Sequence, residues 1–305
     1  MCFQLINSEI TYYIQFGAGI FGIFGALSII ITYILVKQIR SYYFKLVFYV
    51  SIADVIRGLT FLIPKFLLKN RSICLATAAV SNYFAMFSAL MALFLSVIIY
   101  QVTFKSIENV QKYHRRCLFL ILFFLPIAYI LPFITASYAL IDLNCTFTED
   151  FIGNMWRLGI FYIPGWTMII ISITAYCKVY KKLNFSFIDE NTKKLLYKVA
   201  LYPLVVCVLF ILLTTLRIIE IFAYNFCTIE YLSMITMCAS ASQGFWNALI
   251  FFSTPSVRRI LCKRNDYEST IKTSTIMSSQ TSQASLNISD ASNPLIKDCT
   301  SMQRF

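Results

Sequence analysis

The chain has 305 residues, 59% of them hydrophobic, 16% aromatic and only 13% charged. Soluble domains carry about a quarter charged residues, so a water-soluble enzyme with a single core is excluded, and the aliphatic content excludes a largely disordered chain. The net charge of +12 would suggest nucleic acid in a soluble protein; in a membrane protein, topology alone gathers basic residues on one side.

A helix needs about 20 mostly apolar residues to cross the hydrocarbon core. Seven stretches qualify: 12–36, 46–68, 75–104, 117–141, 158–177, 199–224 and 231–254. The first, third, fourth, fifth and seventh hold no Asp, Glu, Lys or Arg. The first is too long for a signal's apolar core and no basic residue precedes it, so it reads as a span. Segments after spans 1, 3, 5 and 7 carry Lys37, Arg40 and Lys45; Lys105, Lys112, Arg115 and Arg116; Lys178, Lys181, Lys182, Lys193, Lys194 and Lys198; and Arg258, Arg259, Lys263 and Arg264. Their acids are Glu108, Asp189 and Glu190, whereas Glu9, Asp142, Glu149, Asp150 and Glu230 lie on the other side. The positive-inside rule then puts the N-terminus outside and the C-terminus in the cytosol. The expected fold is all-α: a seven-transmembrane-helix bundle over 12–254, preceded by an outer N-terminus at 1–11. A short amphipathic eighth helix at 255–264 and a disordered tail at 265–305 follow.

In chain order, span 1 carries Gly17, Gly22 and Gly25, which permit close helix packing. Span 2 carries Asp54 and Arg57 at i, i+3, hence on one face. Each intramembrane charge costs about 2.5–3.5 kcal/mol at a helix centre, so these side chains must face the bundle interior and find partners. Asp54 is a candidate polar hub with Asn247 and Ser51 as partners; plain helix packing is the alternative. Cys74 at the outer end of span 3 and Cys145 in the following outer loop are placed for a disulfide that would pin that loop over the bundle mouth. Cys2 with Cys227 is a second outer pairing. Asn70 and Asn144 head outer-side glycosylation sequons.

Span 6 carries Arg217 and Glu220, again at i, i+3. A guanidinium offers paired donors to phosphate or carboxylate, so Arg217, with Lys65 and Arg157 as further outer cations, is a candidate anion-binding group. An internal salt bridge to Glu220 is the structural alternative, and Glu220 makes the expected ligand-binding set mixed in sign. No Cys-x-x-Cys pair exists and His114 is the single histidine, so neither a metal nor a cofactor is expected.

Loops 2 and 3, with Arg115, Arg116, Lys181, Lys182, Lys193 and Lys194, form the candidate cytosolic docking face. Val257, Ile260 and Leu261 share one side of the segment after span 7, which reads as a helix lying on membrane lipid, with Cys262 a palmitoylation candidate. The tail is rich in Ser and Thr; Ser274, Ser278, Ser279 and Ser282 are candidate phosphorylation sites that would recruit arrestin-like or kinase partners through added charge.

Three segments resemble the slime-mould cyclic-AMP receptor and cyclic-AMP-receptor-like group of G-protein-coupled receptors. Span 2 reads Phe48-Tyr49-Val50-Ser51-Ile52-Ala53-Asp54; span 5 begins Phe161-Tyr162-Ile163-Pro164-Gly165-Trp166, with Tyr176 and Val179 further in. Spans 6 and 7 read Leu201-Tyr202-Pro203, then Arg217, then Gln243-Gly244-Phe245-Trp246-Asn247-Ala248. The resemblance implies a plasma-membrane receptor that carries a small extracellular ligand's signal to a heterotrimeric G protein, with cyclic AMP or another anionic small molecule as ligand. It also implies that Asp54, Asn247 and Ser51 act as an activation switch. Tyr100-Gln101-Val102 stands where rhodopsin-type receptors carry Asp-Arg-Tyr, and Asn247-Ala248-Leu249-Ile250-Phe251 replaces Asn-Pro-x-x-Tyr.

Other classes fare worse. A retinal protein needs a lysine in span 7, which has none. An intramembrane aspartyl protease needs two facing aspartates, and Asp54 is the single one within a span. A transporter or channel is the alternative, since intramembrane charges also mark transport paths, but the two halves show no internal repeat. No enzymatic activity and no nucleic-acid partner is expected.

Overall fold

The computed structural model describes residues 8–40, 42–104, 108–141, 144–185, 190–222 and 228–261, with side chains over the same stretches except at several helix ends and positions, including 108–117, 190–197, 217 and 220–222. The chain divides at Thr254/Pro255. Of the second unit, 255–261 are described and are helical.

The first unit is a seven-transmembrane-helix bundle. Its elements are α1 (Ser8–Leu35), α2 (Tyr42–Phe61), the short α3 (Lys65–Leu68), α4 (Arg71–Phe104) and α5 (Glu108–Ile134), then α6 (Phe151–Trp156), a π-helical segment (Arg157–Tyr162), α7 (Ile163–Phe185), α8 (Glu190–Phe222), α9 (Thr228–Ala241) and α10 (Gln243–Ser253). The rod from α6 to α7 is one span, and α9 with α10 is another, broken at Ser242. Among the described residues, Ile10–Leu35, Arg71–Gln101 and Phe151–Lys182 are each long and apolar enough to cross a membrane, and Ile121–Ile134, Ala200–Leu216 and Tyr231–Ala241 are shorter apolar stretches. The 20-residue α2 carries Lys45, Asp54 and Arg57, which dilutes its apolar character. Phe21, Phe24 and Ile31 on α1, Phe119, Phe123 and Ile130 on α5, and Ile170 and Ile173 on α7 are exposed. So much outward apolar surface fits a lipid surround.

α4 is the central rod, packed against α2, α5, α7, α8 and both strands of a hairpin. α1 packs on α2, α9 and α10. Its glycines differ in use. A methyl at Gly22 would run into the carbonyl of Ala241, and one at Gly25 would lie 2.7 Å from the Gly244 carbonyl oxygen. Gly17 has nothing within 4 Å of a built Cβ, so the close packing expected of all three glycines belongs to two of them.

The fourth span ends earlier than its apolar composition suggests. Residues 138–141, read from sequence as the last helical turn, form strand β1 (Tyr138–Ile141), antiparallel to β2 (Asn144–Phe147), with Tyr138 opposite Phe147. The cause lies just before it. Ala136 adopts φ 51°, its N–H donates to Phe133 O at 3.1 Å, and Ser137 N–H donates to Pro132 O at 3.0 Å. That is the helix-ending pattern normally built on glycine. A left-handed alanine costs about 1–2 kcal/mol. Ala136→Gly is therefore expected to stabilise the chain by about 1 kcal/mol, seen as a thermal midpoint raised by a few degrees in the purified protein.

Candidate functional site

The hairpin is tied down on several sides. Cys145 on β2 is disulfide-bonded to Cys74 on α4, with Cα atoms 5.3 Å apart. Tyr138, Cys145 and Phe147 share a core cluster with Leu68, Met86, Tyr129 and Met168. The Tyr138 hydroxyl donates to the Tyr129 carbonyl at 3.2 Å. The rod that follows starts at Asp150, whose carboxylate accepts from the Thr148 hydroxyl and from the Gly153 amide at 3.1 Å. Those two bonds hold the Asp150 carboxyl below the usual carboxylate range. One turn on, Trp156 Nε1 donates to Thr135 Oγ1 at 2.9 Å. Arg157, 8% exposed, donates from Nη2 to the Phe147 carbonyl at 2.6 Å. Its place just before the fifth apolar stretch predicts an outer-loop cation. Arg157 instead opens the π-helical segment, where the extra residue per turn changes the direction of its side chain.

Beneath the hairpin lies a cavity of about 120 Å³. Its wall includes Arg57, Arg157, Asn82, Thr146, Phe161 and Ser240, and no acidic residue is among its described lining. A smaller void of about 40 Å³ continues past Arg57 towards Phe210 on α8. Phe210 stacks on Phe161 and meets Tyr162 and Trp166 edge-on, and its ring occupies the space a side chain at Gly165 would need.

A chain of polar side chains runs from this cavity into the bundle. Arg57 donates from Nη1 to Gln243 Oε1 at 2.9 Å and from Nη2 to Ser240 Oγ, and its guanidinium lies 5.6 Å from the Phe61 ring centroid. Gln243 Nε2 donates to Ser88 Oγ at 3.0 Å. The Ser88 hydroxyl donates to Asp54 Oδ1 at 3.3 Å, and Asn247 Nδ2 donates to Asp54 Oδ2 at 2.7 Å. Asp54, Ser88, Gln243 and Asn247 are all buried. In a medium without water, such a chain holds a charged residue only if each member finds a partner.

Of the expected hub, Asn247 reaches Asp54 and Ser51 does not. The Ser51 hydroxyl bonds back to the Val47 carbonyl of its own helix at 2.9 Å, the usual alternative for a helical serine. Ser88, on α4, takes its place. Sequence alone gave no sign of Ser88. Gln243 stood in the Gln-Gly-Phe run without a role. Spacing puts Arg57 on the same face as Asp54, but its guanidinium bonds Gln243 and Ser240 while the Asp54 oxygens go to Ser88 and Asn247.

Lys65 starts α3 and is not part of the cavity wall. Arg217 and Glu220 lie on α8, but their side chains fall outside the described residues, as do those of Arg115, Arg116, Lys193 and Lys194. Cys262, Ser274, Ser278, Ser279 and Ser282 lie outside them altogether. Lys181 is exposed. Lys182 Nζ donates to the Thr103 carbonyl at 2.7 Å and sits 4.3 Å from the Phe104 ring centroid, while Lys178 lies 5.8 Å from the Tyr100 ring. These cations fasten α7 to the C-terminal end of α4, where the helix dipole favours positive charge. Among the described residues, no group of three or more His, Cys, Asp or Glu stands ready for a metal. Asn70 caps α4, its side-chain oxygen accepting from Ser72 N–H at 3.0 Å.

The chain is similar in fold to squid rhodopsin, whose crystal structure matches it with a TM-score of 0.61 at 14% identity, over 96% of this chain and 91% of that one. Scans against protein-family models and curated proteins found no match. The likeness is one of architecture: a membrane protein with the rhodopsin-like seven-helix bundle.

Proposed function

We propose that the chain is a G-protein-coupled receptor of the plasma membrane, its N-terminus outside. A small extracellular ligand enters the cavity under the Cys74–Cys145 hairpin. The observation that carries this reading is that cavity, set in a rhodopsin-like bundle and joined by continuous hydrogen bonds to a buried aspartate. The motifs shared with the cyclic-AMP-receptor-like group support an anionic ligand, cyclic AMP among the candidates, and two arginines in the cavity wall agree with that charge. Arg217, Lys65 and Glu220 are kept as further ligand contacts from the outer ends of their helices.

Ligand binding biases an existing equilibrium between bundle arrangements. The displaced inner end of α8 then admits the G protein against the basic loops, and Lys182 must give up its hold on α4 as that face opens. Phosphorylated Ser274, Ser278, Ser279 and Ser282 recruit arrestin-like or kinase partners, and Cys262 is acylated.

The deciding measurement is ligand-dependent nucleotide exchange on a heterotrimeric G protein in membranes carrying the chain. Exchange that rises with ligand sustains the reading; solute movement without exchange would make the chain a transporter or channel instead. Asp54→Asn is expected to lower ligand-stimulated exchange about tenfold, within the ordinary range of coupling between sites, and to leave ligand affinity within about threefold. Binding and exchange measured on the same membranes check this, and an affinity loss as large as the exchange loss would remove the switch role.

A further inference from the structure

We propose that Arg57 is the residue by which the cavity recognises its ligand, and that the group recognised is the oxyanion of a small carboxylate or phosphate. This deepens the receptor reading and rests on it for the cavity's use as a ligand site. Arg57 forms no ion pair within 4 Å among the described residues. Its two terminal nitrogens bond neutral partners, Gln243 and Ser240, and its buried Nε has no hydrogen-bond partner there. Phe61 lies against the guanidinium. A cation held this way, its hydrogen bonds given to neutral partners and Asp54 acting on it only through space, is oriented without a directly bonded anion. Charged partners form much stronger hydrogen bonds to a guanidinium than amides or hydroxyls do, so an oxyanion in the cavity would displace Gln243 or Ser240.

Arg157 has a different duty. It lines the same cavity, but its Nη2 is given to the Phe147 carbonyl, so it acts as a positioning residue for the hairpin. Size narrows the class further. At about 120 Å³ the cavity is well below the 300–1,000 Å³ usual for drug-sized ligands, which, among the anionic candidates above, favours one smaller than cyclic AMP. The exchange of partners also has a direct consequence. Gln243 holds Ser88, and Ser88 holds Asp54, so an anion on Arg57 loosens the hub through one side-chain movement.

The test uses the purified full-length chain and two probes, sodium succinate and sodium phosphate, at ionic strength matched with sodium chloride. The thermal midpoint is followed against probe concentration. The expected result is a saturable rise with at least one probe, and which one responds separates carboxylate from phosphate. Arg57→Gln should weaken that binding at least about tenfold and Arg57→Lys several-fold, because an ammonium lacks the paired fork. Lys69→Gln, which removes an exposed cation outside the cavity wall, should leave it unchanged. Arg57→Lys keeps the charge and most of the packing, so the test survives if Arg57→Gln does not fold. Absence of saturable binding to the unaltered chain would overturn the proposal, as would unchanged binding in Arg57→Lys and Arg57→Gln or an equal loss in Lys69→Gln. The receptor reading fails separately: binding that depends on Arg57, in a chain that stimulates no nucleotide exchange, would leave the anion site standing without it.

Discussion

Gly22→Val is expected to keep most of the chain from reaching the cell surface, while Gly17→Ala on the same helix passes unnoticed. At Gly22 the new side chain would meet the backbone carbonyl of Ala241, and Gly244 faces back onto the Gly22 carbonyl, so neither helix has a flexible group to move aside. α1 would have to separate from α9 and α10. Overpacking in a fitted interior costs about 1–3 kcal/mol and occasionally more. A collision with backbone belongs at the upper end, and in a bilayer the lost close approach is the main source of helix association. A Cβ at Gly17 meets nothing within 4 Å, and alanine is the better helix former by up to about 1 kcal/mol. Surface labelling beside total expression checks both. Equal trafficking of Gly22→Val and unaltered protein would mean that α1 is not held as described.

Cys145→Ser is expected to produce the second large loss. The bond joins residues 71 apart in sequence. The chain-entropy model gives about 4 kcal/mol for a loop of that length. That value is an upper bound, because the helices enclosed by the loop retain structure in the membrane and leave less freedom to restrain. The hairpin would keep the Arg157 bond to Phe147 and the Thr148 N–H bond to the Ser137 carbonyl at 2.9 Å, so it should loosen rather than detach. Ligand affinity should fall by about tenfold or more, matching a loss of 1.4 kcal/mol or greater. A mild reductant applied to the unaltered protein should reproduce the lowered thermal midpoint. If reductant and substitution both leave the midpoint and affinity in place, the cavity does not depend on its cap.

Much of the bundle is legible in composition, since an apolar run of about 20 residues has few other uses. Apolar character does not say where a helix stops. Residues 138–141 are apolar enough to extend the fourth span, and a single left-handed residue at Ala136 turns them into a strand. Spacing identified the face shared by Asp54 and Arg57, but not how each side chain divides its hydrogen bonds between neighbours. Sequence points to Ser51, one turn from Asp54 on its own helix, and not to Ser88 on another. The choice between them depends on whether a hydroxyl turns to its own helix or across to another, and only the packed bundle decides that. The Cys74–Cys145 pair was legible because topology leaves few cysteines on one side of the membrane. Gly17 and Gly22 show the limit of motif reading: the same residue on the same helix faces open space in one case and a carbonyl in the other.

The π-helical segment at Arg157–Tyr162 bears on how this chain tolerates change in length. Each wide turn there takes up about one residue more than an α-helix would, a phase offset of roughly 100°. Deleting one residue within 157–162 would let the rod run as a regular α-helix, and because the wide turn already absorbs that residue, the lower half seated by Gly165 against Phe210 and the upper half would keep their facing. Arg157 would stay on Phe147 and Trp156 on Thr135 as long as the residue removed lies beyond Arg157. Viable length variants of this rod should therefore be single losses within the segment, whereas a residue lost from the α-helical part below it would turn one half by roughly 100° and need a compensating gain.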